Sequence, residues 1–241
     1  MRTRWAVKGS WAGRGIGTAI GLAVLASGAV GCGGSAGGDA SAGADPSAPG
    51  STVPAPKRGG SLAWGMGSET TSGFNPARAQ WAEPGLQVAN AIFDPLMAYD
   101  PQLKPKPYLA ESVEPSEDFR TWTITVRDGV RFHDGDELDG EALKTHLDAV
   151  RTSPLIGAAF SIVESVEVSG PTAVQVKMSK PWSTFPLALT SQVGYVAAPA
   201  MYADASLATK PIGTGPFRLK TWAPDKNLLV VRNDDYWRPG L

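Results

Sequence analysis

The sequence predicts an α/β fold, and three stretches carry that reading. In "RTWTITV", Trp122, Ile124 and Val126 alternate with Thr121, Thr123 and Thr125, as on a half-buried strand. "TAVQVKM" alternates in the same way, with Val174, Val176 and Met178 on one face and Gln175 and Lys177 on the other. From Asp139 the period changes: Leu143, Leu147 and Val150 fall at i, i+4 and i+7, the buried stripe of a helix. Asp139 itself stands where its carboxylate can accept from the free N–H groups of the first turn.

The remaining elements follow in order. "SLAWGMGSE" reads as a strand from Ser61 that ends in the polar loop "TTSGFNPARA". Leu86, Ala89, Asn90 and Phe93 lie at helical spacing behind Pro84, which suits a helix start, and Asp94-Pro95 ends that helix. "LMAYD" is short and extended. Asp128-Gly129 marks a tight turn that would fold "VRF" back on the strand before it, as a hairpin. "SIVESVEV" is the strand that matches "TAVQVKM", "PWSTFPLALTS" a short helix, and "GTGPFRLKTWAPDKNLLVVRNDDYW" two strands around a turn at Pro224-Asp225.

The first residues are of another kind. Arg2, Arg4, Lys8 and Arg14 precede "GIGTAIGLAVLASGAVGC", an apolar run too short for the roughly 20 residues of a bilayer span. This is the layout of a secretory signal. An exported chain with a single thiol forms no internal disulfide, so Cys32 needs another use. "AVGC" resembles a bacterial lipoprotein box, which implies a signal peptide over 1–31 and diacylglycerol on the Cys32 thiol. Residues 32–56, rich in Gly, Ser, Ala and Pro, cannot bury enough apolar surface to fold and read as a flexible tether, on the order of 25 to 30 Å long. The body is then 57–241. Without the four basic residues of the signal, 18 basic side chains face 23 acidic ones, and such a balance excludes a general attraction for nucleic acid.

His133, with Asp134, Asp136, Glu137 and Asp139 close behind, raises the question of a metal or acid/base site. As a calcium loop starting at Asp134 the stretch puts Leu138 at position five, Asp139 where Gly is required and Thr145 at position twelve. No second His or Cys stands at zinc spacing. A hairpin turn leading to a helix cap accounts for these residues better, and no metal or other cofactor is expected. His146, one turn from Leu143, reads as a packed histidine. "GTGPFR" has Arg218 where a dinucleotide loop needs its third Gly, and no Gly-x-Ser-x-Gly elbow occurs. The residues point to no enzyme.

"GGSLAWGMGSETTSGFNPARA", "AIFDPLMAYDPQLKPKPYLAESVEPSEDFRTWTITVRDGVRFHDGDELDGEAL", "PIGTGPFRL" and "VRNDDYWRPG" resemble, in order, bacterial extracytoplasmic solute-binding proteins of family 5, the dipeptide, oligopeptide and nickel binders of ABC importers. The resemblance implies a periplasmic-binding-protein-like class II fold, here the first lobe, with a mixed sheet and flanking helices. It implies that "FHDGDEL" is a structural hairpin. Members are about twice this long, so the second lobe is expected to be missing, and half a cleft should bind peptide weakly, with a dissociation constant above roughly 100 μM. The implied function is a lipid-anchored, extracytoplasmic component that captures peptides, or a related small solute, for an ABC permease. A sensory or structural surface lipoprotein that keeps only this lobe is the alternative. By the same resemblance the loop after the first strand contributes to the cleft: Ser68, Glu69, Thr70, Thr71 and Phe74. Glu69 is either the partner of a ligand cation or a solvated loop acid. Phe74 either packs on a ligand side chain or closes the core.

Overall fold

The structure, a computed structural model, describes residues 59–70 and 72–238. The signal peptide and tether proposed for 1–31 and 32–56, with Cys32, and also Thr71, lie outside the described residues. Helix α1 (Glu83–Ile92) starts with Pro at its first turn, where a missing N–H costs nothing, and ends where Phe93 turns extended ahead of Asp94-Pro95. It buries Gly85, Ala89 and Ile92, whereas Asn90 faces solvent. Strands β1 (Met97–Tyr99) and β2 (Pro105–Pro107) pair antiparallel beyond it.

The central sheet is formed by β3 (Ala110–Pro115), β4 (Thr121–Val126), β5 (Val163–Gly170) and β6 (Ala173–Met178), in the order β3-β4-β6-β5. Its pairings are all antiparallel. This corrects the expected mixed sheet: β3 joins β4, and β5 joins β6, through turns too short for the crossover that parallel neighbours need. The predicted faces are the observed ones, for Trp122, Ile124, Val126, Val174, Val176 and Met178 are all buried. Against them packs α2 (Gly140–Arg151), through Leu143, Leu147 and Val150. Asp139 caps it as expected, accepting from Ala142 N at 2.8 Å. Gly140 lets the start of the helix lie against the turn between β5 and β6, since a Cβ there would stand 2.7 Å from Gly170 O.

A second cluster of buried residues joins Phe74, Trp81, Ile92, Phe93 and Met201. The antiparallel pair β7 (Phe217–Ala223) and β8 (Asn227–Arg232) lies against it, and helices α3 (Phe185–Ala188) and α4 (Ala200–Ala203) complete the order of elements. Ser61 onward forms one unit that contains both clusters.

Two expectations are overturned. Residues 61–69 form no strand: they have no pairing partner among the described residues, and Leu62 and Trp64 are 86% and 72% exposed. The stretch reads as a strand in the sequence, but a strand also needs an edge to bond. The chain does turn at Asp128-Gly129, with Gly129 at φ +71°, yet β4 takes β3 and β6 as neighbours and leaves no edge for "VRF". The hairpin forms one step later. Leu138 N bonds Val130 O at 2.9 Å and Phe132 N bonds Asp136 O at 2.9 Å, with Gly135 at φ +100° in the turn. The "FHDGDEL" segment is thus the hairpin that the resemblance implied.

Trp122 is the largest side chain on the inner face of β4, 3% exposed and in contact with the Phe185 ring at 5.6 Å. Its indole N–H has no acceptor among the described residues. Trp122→Ala should therefore lower stability by about 3 to 5 kcal/mol, as aromatic truncation in a core does, while Trp122→Phe, which also removes the unpaired donor, should cost clearly less. Urea unfolding of the two variants checks this order.

Candidate functional site

The loop singled out in the sequence is firmly held. Glu69 receives two neutral donors from the β7–β8 hairpin, the Trp222 indole N–H and the Asp225 amide, the latter at 2.7 Å. No cationic side chain pairs with it among the described residues. Thr70 donates to Gly73 O at 3.3 Å, and Gly73, at φ +77°, lets Phe74 N reach Ala208 O at 2.7 Å. A Cβ at Gly73 would meet that carbonyl at 2.6 Å. Ser68 is exposed, as is Glu69. Phe74 is 1% exposed, with its ring 5.2 Å from Trp222 and 6.1 Å from Trp81, so the structure places it in the core and it offers a ligand almost no surface.

Two amide side chains that the sequence gave no reason to single out fix the rest of the loop. Asn75, fully buried, donates to Met201 O at 2.6 Å and accepts from Ala77 N at 3.0 Å. Gln192 accepts from Trp81 N at 2.9 Å and donates to Ala79 O at 2.6 Å and Pro76 O at 2.9 Å. Each amide replaces a piece of regular structure for a segment that has none, satisfying backbone groups that would otherwise be buried without partners. At the rim Tyr195 donates to Asn90 Oδ1 at 2.6 Å.

A third feature escaped the sequence reading altogether. Asp94, 2% exposed, accepts from Thr214 Oγ1 at 2.8 Å, Tyr236 OH at 2.9 Å and Trp237 Nε1 at 2.8 Å. Burial pushes its pKa above the ordinary carboxylate value, while these three donors pull the other way. The only local signal was an acid set between Phe93 and Pro95-Leu96, in an otherwise apolar run.

The histidines are structural. In the Nε2–H tautomer His133 donates to Gly215 O at 3.0 Å and its Nδ1 accepts from Gly213 N at 3.4 Å, so the ring joins the hairpin to the "GTGPF" segment. Burial, foremost, lowers its pKa; the Gly215 carbonyl and Asp134 oppose this and Arg218 adds to it. His146, fully buried, donates from Nε2 to Val193 O at 3.0 Å and accepts at Nδ1 from Tyr202 OH at 2.6 Å. Burial lowers its pKa to about 4, against a smaller opposing effect of the Val193 carbonyl.

Comparison with known proteins then decides the family. Residues 104–241 match the model of bacterial extracellular solute-binding proteins, family 5 Middle. The chain belongs to this family. Over 159 residues it is 30% identical to the glutathione-binding protein GsiB of Escherichia coli O1:K1, a match that spans 64% of this chain and 31% of that protein. Among solved structures, the oligopeptide-binding protein AppA of Bacillus subtilis, in complex with a nonapeptide, superposes with a TM-score of 0.61 at 25% identity, over 69% of this chain and 35% of the other. NikA of Brucella suis, in complex with Fe(III)-EDTA, gives 0.60 at 30% identity, over 68% and 34%. The match thus spans about a third of each relative's length. The family 5 fold is periplasmic-binding-protein-like, and this partial coverage is consistent with a single lobe. Family 5 members are extracytoplasmic binding proteins, and GsiB and AppA are named for what they bind.

Since His146 is an acceptor in the folded protein and a free base in the unfolded one, acid favours unfolding. The stability it contributes is complete above about pH 6.5, declines as the pH falls towards about 4, and amounts to on the order of 3 kcal/mol over that window. Urea midpoints of wild type and His146→Leu, measured from pH 7 to pH 4, should therefore converge on acidification. A constant gap would contradict the buried neutral ring.

Proposed function

We propose that the chain is the solute-capturing component of an ABC importer, that short peptides are its ligand class, and that it is held at the outer face of the cell membrane by a lipid on Cys32. The observation that carries this reading is the family match, with relatives named for binding glutathione and crystallised with a nonapeptide. The fixed loop supports it. Ser68 and Glu69 stand exposed on backbone that is already ordered, so a ligand meets them without the entropic cost of arranging them. Glu69, with no cationic partner among the described residues, suits a ligand ammonium, and Ser68 and Thr70 supply hydroxyl groups beside it, with Thr71 next in the sequence as a further candidate. Phe74 contributes from beneath, as the packing under the loop. The solute would be handed to permease subunits of the importer, and no covalent chemistry is involved.

Calorimetric titration of the full chain with a dipeptide to pentapeptide series tests the ligand class. Glu69→Gln should weaken binding about tenfold for peptides with a free amino terminus, the lower end of what a charge-assisted hydrogen bond contributes, and should leave amino-acetylated peptides unaffected. Equal loss for both would remove the ammonium from the assignment. For the anchor, Cys32→Ser should abolish metabolic labelling by palmitate; undiminished label would refute lipidation at that residue.

A further inference from the structure

We infer that the groove of about 550 Å³ between the start of β3 and the Trp237-Arg238 segment is a binding site for a small zwitterion, distinct from the loop proposed for solute capture. Glu111, Arg127, Asp128, Trp237 and Arg238 line it. Its size lies within the roughly 300 to 1,000 Å³ of small-molecule sites.

The charges define the ligand. Arg127 and Arg238 both stand over the Trp237 ring, 5.5 and 5.7 Å from its centroid, and Arg238 also stands 4.8 Å from the centre of Tyr108. The ring is fixed by its own N–H, which Asp94 accepts at 2.8 Å. Arg127 donates from Nε to Tyr108 O at 2.8 Å, which orients its guanidinium and leaves the two terminal nitrogens without a protein partner among the described residues. Arg127, stacked and tethered in this way, is arranged in advance, and Arg238 rests on both aromatic rings, so part of their side-chain freedom is already lost before binding. Neither makes an ion pair with a carboxylate among the described residues, and neither do Glu111 and Asp128. Two guanidiniums at one aromatic floor attract an anionic group. Two carboxylates in the same groove disfavour a polyanion and favour a cation beside it, and the formal charges of the lining cancel. A carboxylate held by Arg127 and Arg238, with an ammonium a few bonds away facing Glu111 and Asp128, satisfies all four.

The test uses the full chain and a graded set of probes: glycine, 4-aminobutyrate and 6-aminohexanoate, each with its methyl ester and its N-acetyl derivative. Binding is read by calorimetry and by the indole N–H resonance of Trp237, identified as the signal lost in Trp237→Phe. Expected is saturable binding of at least one parent compound that shifts this resonance, with its ester and acetyl forms both weaker by about tenfold or more. Arg127→Gln, Arg238→Gln and Glu111→Gln should each weaken it to a similar degree. Arg238 is not itself a member of either buried cluster, and an unchanged urea midpoint for Arg238→Gln separates loss of binding from misfolding. Glu69→Gln should leave this binding unchanged, which separates the groove from the peptide-binding loop. No saturable shift with any parent, an acetyl form that binds as tightly as its parent, or indifference to Arg127→Gln and Arg238→Gln would each overturn the assignment.

Discussion

The buried carboxylate of Asp94 is the junction on which the arrangement of this chain depends. It ends α1, and its three side-chain donors come from residues 120, 142 and 143 positions further along. A carboxylate taken out of water without partners would be heavily penalised; with three donors it becomes a fixed point. The chain is shaped to reach it. Gly213 and Gly215 lie so close to Ile92 that a Cβ on either would stand 2.2 or 2.5 Å from its backbone atoms, and this approach brings Thr214 to the acid. The glycines of "GTGPF" therefore serve backbone packing, and Asn233 strengthens the same seam by donating to Gly215 O at 3.1 Å and accepting from Arg218 at 2.6 Å.

Several consequences meet at this seam. His133 crosses it with both ring nitrogens, so the histidine of the acid-rich turn acts as a clasp. Its neighbouring acids point outward around a tight turn, and the histidine turns inward to carbonyl and amide groups. Trp237, oriented by Asp94, is also the floor of the charged groove. A single buried acid thus connects the end of α1, the approach to β7 and the aromatic segment after β8.

What could be read from the sequence was what is local. β4, β6 and α2 were legible with their buried faces because period and cap are written within a dozen residues, and Asp139 was legible as a cap for the same reason. Leu62, Trp64 and Met66 carry the same alternation as β4 and form no strand, because pairing is decided by a partner that local pattern does not reveal. Asp94, Asn75 and Gln192 were missed on similar grounds: their partners lie mostly over a hundred residues away, and isolated polar residues have no period. In the candidate site Ser68 and Glu69 are exposed. Phe74 belongs to the packing beneath, one of the two readings its sequence context left open.

Gln192 holds three backbone groups of the loop at once, and Asn75 ties the loop, through Ala77 N, to Met201 O. Because these bonds run from amide side chains to main-chain atoms, they are indifferent to the identity of the side chains that the loop displays. Ser68 can be exchanged for another residue while the path of the chain stays the same, whereas the Thr70 hydroxyl is part of the frame through its bond to Gly73 O. A scaffold built in this way separates shape from display: the exposed positions are free to vary, and the frame beneath them keeps its form.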